Sequence, residues 1–278
     1  VKLYCVDEYL SGDYYSSEGN KIYFAVISES RNPEKTIFIT AGRHTDESAG
    51  TEAAYLLAER ILKSEKMHEF LKSNSVIILP AVHVDEYMKP EKERIPEFHP
   101  TGYMWAEYPP EYFKQFDGDR NTGHQYILQD PDFKPTYDDN KYTLYEQWYK
   151  DRPVAKESFA VAKLFDKIME EMDITAAIDL HETRCAEYPM IIYYTTRTRD
   201  VAEDVIDRVN REMDYNGYNQ LIMRTDEPEQ TFSGYATARG VDSYTTESNG
   251  KRGWKPVSLS ERTREQLIMI DEILEHYI

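Results

Sequence analysis

His44 and Glu47 stand in a His-x-x-Glu segment just after the apolar run Thr36-Ile37-Phe38-Ile39-Thr40-Ala41-Gly42. A second histidine of the same kind closes Asp179-Leu180-His181 far downstream. Two imidazoles and one carboxylate are the donors with which a hydrolytic zinc site holds its metal while a fourth position stays open for water. His-x-x-Glu arises easily by chance, so its placement carries the signal. The run before it reads as a buried strand ending at a glycine, and Ala176-Ala177-Ile178-Asp179-Leu180 reads as another. Both histidines therefore fall at or just beyond a strand's C-terminal end, the rim on which open α/β sheets bind their ligands.

The elements that must position these residues alternate in type. Residues 1–35 read as edge strands and turns, punctuated by Gly19-Asn20 and Ser30-Arg31-Asn32-Pro33. After the strand at 36–41, Ala53, Ala54, Leu57, Ile61 and Leu62 repeat at helical spacing over 50–63. Val76-Ile77-Ile78-Leu79 is a further buried strand. Phe159, Ala162, Leu164, Phe165 and Ile168 pattern a helix over 154–172 that leads into the Asp179-Leu180-His181 strand. Strands at 190–194, 221–223 and 243–247 follow, with helices over 201–213 and 260–277. Strands alternating with helices predict an α/β fold, a single domain over 1–278 with a mixed, mostly parallel central sheet covered by helices on both faces. From about 88 to 152 the periodicity vanishes into a stretch rich in Pro, Tyr, Asp and Glu. An irregular segment this long inside a compact domain is usually functional, and it is expected to wrap one rim of the sheet.

Composition narrows the partners. The formal net charge is −18, from 51 acidic and 33 basic residues, which argues against nucleic acid or an anionic membrane surface. Only Cys5 and Cys185 are present, so there is no disulfide framework and both read as buried thiols. No apolar run approaches the roughly 20 residues that span a bilayer. Val1-Lys2-Leu3 opens no signal sequence and lacks Met, so the N-terminus reads as trimmed and the chain as a soluble, cytoplasmic protein. Oligomeric state is not legible.

Together these motifs resemble the zinc carboxypeptidase superfamily, taken to include the aspartoacylase and succinylglutamate desuccinylase branch. The resemblance is a series of short motifs in the right order over roughly 36–250. Gly42-Arg43-His44-Thr45-Asp46-Glu47 is similar to the family's Gly-x-His-x-x-Glu segment, and Asp179-Leu180-His181-Glu182 to the segment of the third ligand. The resemblance implies that His44, Glu47 and His181 bind a single zinc on a zinc-dependent exopeptidase-like fold. Ser243-Tyr244-Thr245-Thr246-Glu247 resembles the strand that ends in the catalytic carboxylate, which implies Glu247 as general base. Asp117-Gly118-Asp119-Arg120-Asn121 resembles the Asp-x-Asn-Arg segment. Arg120 would then clamp a substrate carboxylate or stabilise an oxyanion, and Asp117 would accept from the ring of a ligand histidine, His44 being the expected one. The family's Asn before Arg is Asp119 here, a carboxylate that would repel a free C-terminal carboxylate and favour a substrate with an amine or cation.

Other residues carry weaker signals. Arg43 and Arg184 flank two ligands and are expected in ion pairs. His83 is read as structural, and His68, His99 and His276 as surface residues. His124 follows shortly after Arg120 and is read as bland. Tyr235 and Tyr244 are candidates for the tyrosine that assists near the catalytic carboxylate. The tyrosines and tryptophans of 103–149, Trp105 and Trp148 among them, read either as packing beneath the long segment or as the lining of a recess.

The implied function is a zinc-dependent amide hydrolase, a carboxypeptidase-like metallopeptidase acting on peptides. One alternative is an N-acyl amino acid deacylase of the aspartoacylase type. That branch usually carries a further C-terminal β domain, whereas this chain ends in a helix soon after Glu247. A second alternative is a non-catalytic binding domain on the same fold. The full ligand set and candidate base argue against it.

Overall fold

In the structure, a computed structural model, residues 1–16, 18–43, 47–88, 156–183, 190–213, 215, 221–224, 232–249, 251–252 and 255–278 are described. In chain order these give β1 (Lys2–Cys5), α1 (Val6–Leu10), β2 (Tyr23–Ser28), β3 (Thr36–Ala41), α2 (Ser48–Lys63), α3 (Glu65–Leu71), β4 (Ser75–Leu79) and α4 (Val84–Tyr87). They continue with α5 (Lys156–Glu171), β5 (Ile174–Thr183), β6 (Met190–Tyr194), α6 (Arg199–Met213), β7 (Leu221–Arg224), α7 (Phe232–Ala238), β8 (Asp242–Asn249) and α8 (Leu259–Tyr277). A small ribbon, β9 (Lys251–Arg252) against β10 (Lys255–Pro256), precedes α8.

Strands β1 to β8 form one mixed sheet in the order β1-β2-β4-β3-β5-β8-β6-β7. The central pairs β4–β3, β3–β5 and β5–β8 are parallel, as is β6–β7; the pairs β1–β2, β2–β4 and β6–β8 are antiparallel. The expected α/β class, with a mixed, mostly parallel sheet, is the one observed.

Side-chain alternation along the central strands sorts the core into two layers. Ile37, Ile39, Val76, Ile78, Ala176, Ile178 and Leu180 pack with α2, α3, α6 and α8 on one face. Phe38, Ile77, Leu79, Ile174 and Ala177 pack with α1, α5 and α7 on the other. Strands buried on both faces explain why the sequence shows unbroken apolar runs there. On the second face Phe38, Phe165 and Phe232 form an aromatic cluster with ring centroids 5.2–5.6 Å apart.

Helix ends follow local chemistry. Ser258 caps α8 by accepting from the Glu261 N–H at 3.3 Å, and the Ser-x-x-Glu spacing is that of a capping box. Ser64 ends α2 and caps α3, accepting from the Met67 N–H at 3.3 Å. The short helices α1, α3, α4 and α7 are additions to the expected pattern. None of the helices among the described residues is long and apolar enough to cross a membrane.

The expected rim segment at 88–152 lies outside the described residues apart from Met88.

Candidate active site at the C-terminal rim of the central strands

Strand β3 ends at Ala41, and the chain turns out of it at Gly42, which has φ +68°. A Cβ there would lie 2.8 Å from both Thr51 Oγ1 and Tyr87 Cε2, so the turn is closed to larger residues on two grounds. Arg43 follows and is buried. Glu47 then stands at the N-cap of α2, with its backbone carbonyl accepting from Tyr87 Oη at 3.2 Å.

Strand β5 runs parallel beside β3, with Thr40 opposite Asp179 and Ala41 opposite Leu180. Asp179 and His181 share a parity with Ala177 and therefore a face. Asp179 is fully enclosed. Its Oδ1 accepts from Thr40 Oγ1 at 2.8 Å, and its Oδ2 lies 3.3 Å from Arg43 Nε and 2.9 Å from His181 Nε2. The other ring nitrogen, His181 Nδ1, lies 2.9 Å from Glu47 Oε2. The Arg43 guanidinium sits 5.6 Å from the centre of the Phe232 ring on α7.

Strand β8 completes the rim on the far side of β5. Glu247 is in register with His181, and Glu182 with Ser248. In parallel neighbours paired positions point to the same face, so Glu247 stands beside His181.

Charge sets the protonation states. Burial works against a charged Asp179, but His181 and Arg43 beside it outweigh burial and hold its carboxyl well below the usual range. Burial likewise works against a charged His181, and the carboxylates of Asp179 and Glu47 outweigh it and raise the imidazole well above its ordinary value. Glu247 is pushed up to about 7 by burial and by the charge of Glu47, partly offset by His181. Glu182 is also raised to about 7, by burial against the pull of Arg262.

Of the residues expected from the sequence, Glu47, His181 and Glu247 therefore meet at one rim. His44, Asp117, Asp119 and Arg120 lie outside the described residues, as do Arg184, His99, His124, Cys185, Trp105 and Trp148. Among the described residues no group of three or more His, Cys, Asp or Glu side chains could by itself hold a metal ion. The described part is the pair Glu47 and His181.

Arg43 forms the ion pair expected of it. His83 is buried, 3.8 Å from the equally buried Glu157. His68 and His276 are at the surface, His68 beside Glu29. Neither candidate tyrosine reaches Glu247. Tyr244 alternates with it, points to the opposite face and meets Tyr277 Oη at 2.7 Å. Tyr235 donates to Asp166 Oδ2 at 2.7 Å. In the sequence Asp179 and Glu182 carry no signal beyond flanking His181. The first turns out to hold that histidine, and the second to hold the helix that carries Glu47.

The family model described as zinc carboxypeptidase matches residues 14–262. Among solved structures, a metallo-carboxypeptidase from Burkholderia cenocepacia superposes with a TM-score of 0.61 at 13% identity, covering 99% of this chain and 64% of that one. Carboxypeptidase A from Helicoverpa armigera gives 0.60 at 12% identity, covering 99% and 67%. Bovine thrombin-activatable fibrinolysis inhibitor, solved with a tick carboxypeptidase inhibitor, gives 0.57 at 14%, covering 94% and 87%. At such identities the likeness is one of fold. The chain thus spans under two thirds of the Burkholderia protein's length. No curated protein sequence matches it.

Proposed function

Since the chain belongs to the zinc carboxypeptidase family, we propose that it is a zinc-dependent amide hydrolase that cleaves peptides near a free terminus. The family makes it a hydrolase of the metallopeptidase type; the substrate and the roles of single residues are our reading. The observation that carries it is the 2.9 Å approach of Glu47 Oε2 to His181 Nδ1 while Asp179 holds the other ring nitrogen.

The residues present fit the metal. A carboxylate oxygen and a ring nitrogen, donor types that zinc takes, stand 2.9 Å apart, and the imidazole is oriented from behind by a second carboxylate, as at zinc-binding histidines. Glu47 and His181 would hold the ion together with His44. When bound, zinc supplies a Lewis acid that polarises a carbonyl oxygen and acidifies water.

The chain's own groups do the rest. Glu247 takes the proton of the attacking water on its carboxylate and returns it to the leaving nitrogen. A pKa near 7 suits a group that must both accept and release a proton. A bound cation would lower that value. Arg120 would pair with a substrate carboxylate or the developing oxyanion, Asp117 would orient His44, and Asp119 would face an amine or cation on the substrate. We take the whole as a single domain.

The test is metal content by elemental mass spectrometry on protein purified without chelator, followed by screens of peptides and N-acyl amino acids. About one zinc per chain with peptide cleavage is expected. Cleavage of N-acyl amino acids alone would move the reading to the deacylase. A chain that takes up no zinc, even when it is added back, would leave a binding domain on a hydrolase fold.

A further inference from the structure

We infer that Glu182 is a positioning residue for the metal site, because it supplies from β5 the helix-capping bond that Glu47, whose carboxylate faces His181, does not make. The inference rests on the reading of Glu47 and His181 as ligands, and it adds a residue to which that reading assigns nothing.

At a helix N-cap a short polar side chain such as Ser, Thr, Asp or Asn accepts from an N–H in the first helical turn, and without one that donor needs another acceptor. Glu47 occupies that position on α2 and makes no such bond; its carboxylate reaches the other way, to His181 Nδ1 at 2.9 Å. The orphaned donor is still satisfied. The Ala49 N–H donates to Glu182 Oε1, from the strand residue next to His181. One acidic side chain is thereby released toward the site while a second takes over its local duty.

Contacts of three further residues show that the junction is built. Gly50, also in the first turn of α2, runs so close to β5 that a Cβ would lie 2.8 Å from the Leu180 carbonyl oxygen. The second oxygen of Glu182 accepts from Arg262 on α8, so both its oxygens are used. One helical turn further along, the fully buried Gln266 donates to the His181 carbonyl and accepts from Thr246 Oγ1 at 2.7 Å. Arg262 and Gln266 are four residues apart and so share a face of α8. That face holds the backs of β5 and β8 just where their front faces carry His181 and Glu247. Glu182 thus ties the start of α2 to β5 and α8 right beside the contact of Glu47 with His181.

The experiment titrates cobalt(II) and zinc(II) into the full metal-stripped chain and follows metal affinity, the cobalt visible spectrum and the thermal midpoint. Glu182→Ala is expected to weaken metal binding on the order of 10-fold or more and to alter the cobalt spectrum, as loss of groups behind metal ligands does. The pair Glu182→Gln with Arg262→Gln keeps an acceptor for the Ala49 N–H without a buried charge, and is expected to recover most of the affinity. Ile273→Val, a core change on α8 away from the rim, should lower the midpoint and leave affinity and spectrum alone. Wild-type affinity in Glu182→Ala would overturn the inference. So would loss of affinity by Ile273→Val in proportion to its stability, or failure of the folded Gln pair to recover binding; if Glu182→Ala does not fold, the Gln pair alone decides, near-wild-type affinity and spectrum being expected of it. A wild-type chain that binds neither ion would remove the ligand reading itself and this inference with it.

Discussion

Asp179 Oδ2 lies 2.9 Å from His181 Nε2, two residues along the same strand and on the same face of the sheet. The period of a β-strand makes this contact, and it fixes which ring nitrogen remains to face Glu47.

Asp179→Asn removes the negative charge behind that ring and leaves Arg43 beside a neutral partner. Zinc affinity is expected to fall by about 10- to 100-fold, the usual effect of losing such a partner. Competition with a chromophoric chelator reads it directly. Unchanged affinity would mean that the ring needs no help from Asp179.

Glu247→Gln keeps the shape of the side chain and removes the proposed base. Zinc content should stay at the wild-type level while turnover drops by about 100- to 10,000-fold, the range attributed to general acid–base catalysis. Retained turnover would take Glu247 out of the mechanism.

The pH dependence of the metal-free fold follows from three raised groups. His181 lies above its ordinary 6.5, so its contribution to stability is full below 6.5 and is lost as pH rises through the folded value. Glu182 and Glu247 are raised from 4.5 to about 7, so the folded chain holds protons that the unfolded chain has already released. All three act in one direction, and the thermal midpoint of the chelator-treated chain should fall between pH 5 and 8. A zinc held as proposed would need His181 unprotonated, so its stabilisation should grow over the same interval, by about tenfold in affinity per pH unit for each proton displaced. A metal-free midpoint that climbs with pH would contradict the buried charges described.

Gly50→Ala places a Cβ 2.8 Å from the Leu180 carbonyl oxygen, too close for the helix to stay where it is. Overpacking of this kind costs about 1–3 kcal/mol. Chemical denaturation should show that loss, and metal affinity should fall with it because the shifted turn carries Glu47. A variant as stable as the parent would place the first turn of α2 farther from β5 than described.

The larger elements were legible because they obey a period. The unbroken run Ile37-Phe38-Ile39 is a strand covered on both sides, and Ala53, Ala54, Leu57 and Ile61 line the buried side of α2, whereas Leu62, counted with them from its spacing, is exposed. Glu47, His181 and Glu247 were legible because family motifs mark them. Neither Tyr235 nor Tyr244 stands in a family motif, and Tyr244, three residues before Glu247 on β8, is turned by strand alternation to the opposite face. Asp179 and Glu182 were quoted without a role because their partners lie far off in sequence. Arg43 is 136 residues from Asp179, and Arg262 is 80 from Glu182. No periodicity reports which charged residues a fold will bring together. The short helix α3 escaped because Ser64, which caps it, also reads as the end of α2.

The sheet order places β8 between β5 and β6, although it follows β6 and β7 in sequence. During synthesis the strands from β1 to β5 and the pair β6–β7 therefore emerge with facing edges open, and among the described strands only β8, residues 242–249, pairs with both edges. That same strand delivers Glu247. Ribosome-bound chains halted before it would expose two unpaired strand edges, a liability for aggregation, and would lack the proposed base. Completion of the sheet and arrival of the proposed base are thus one event.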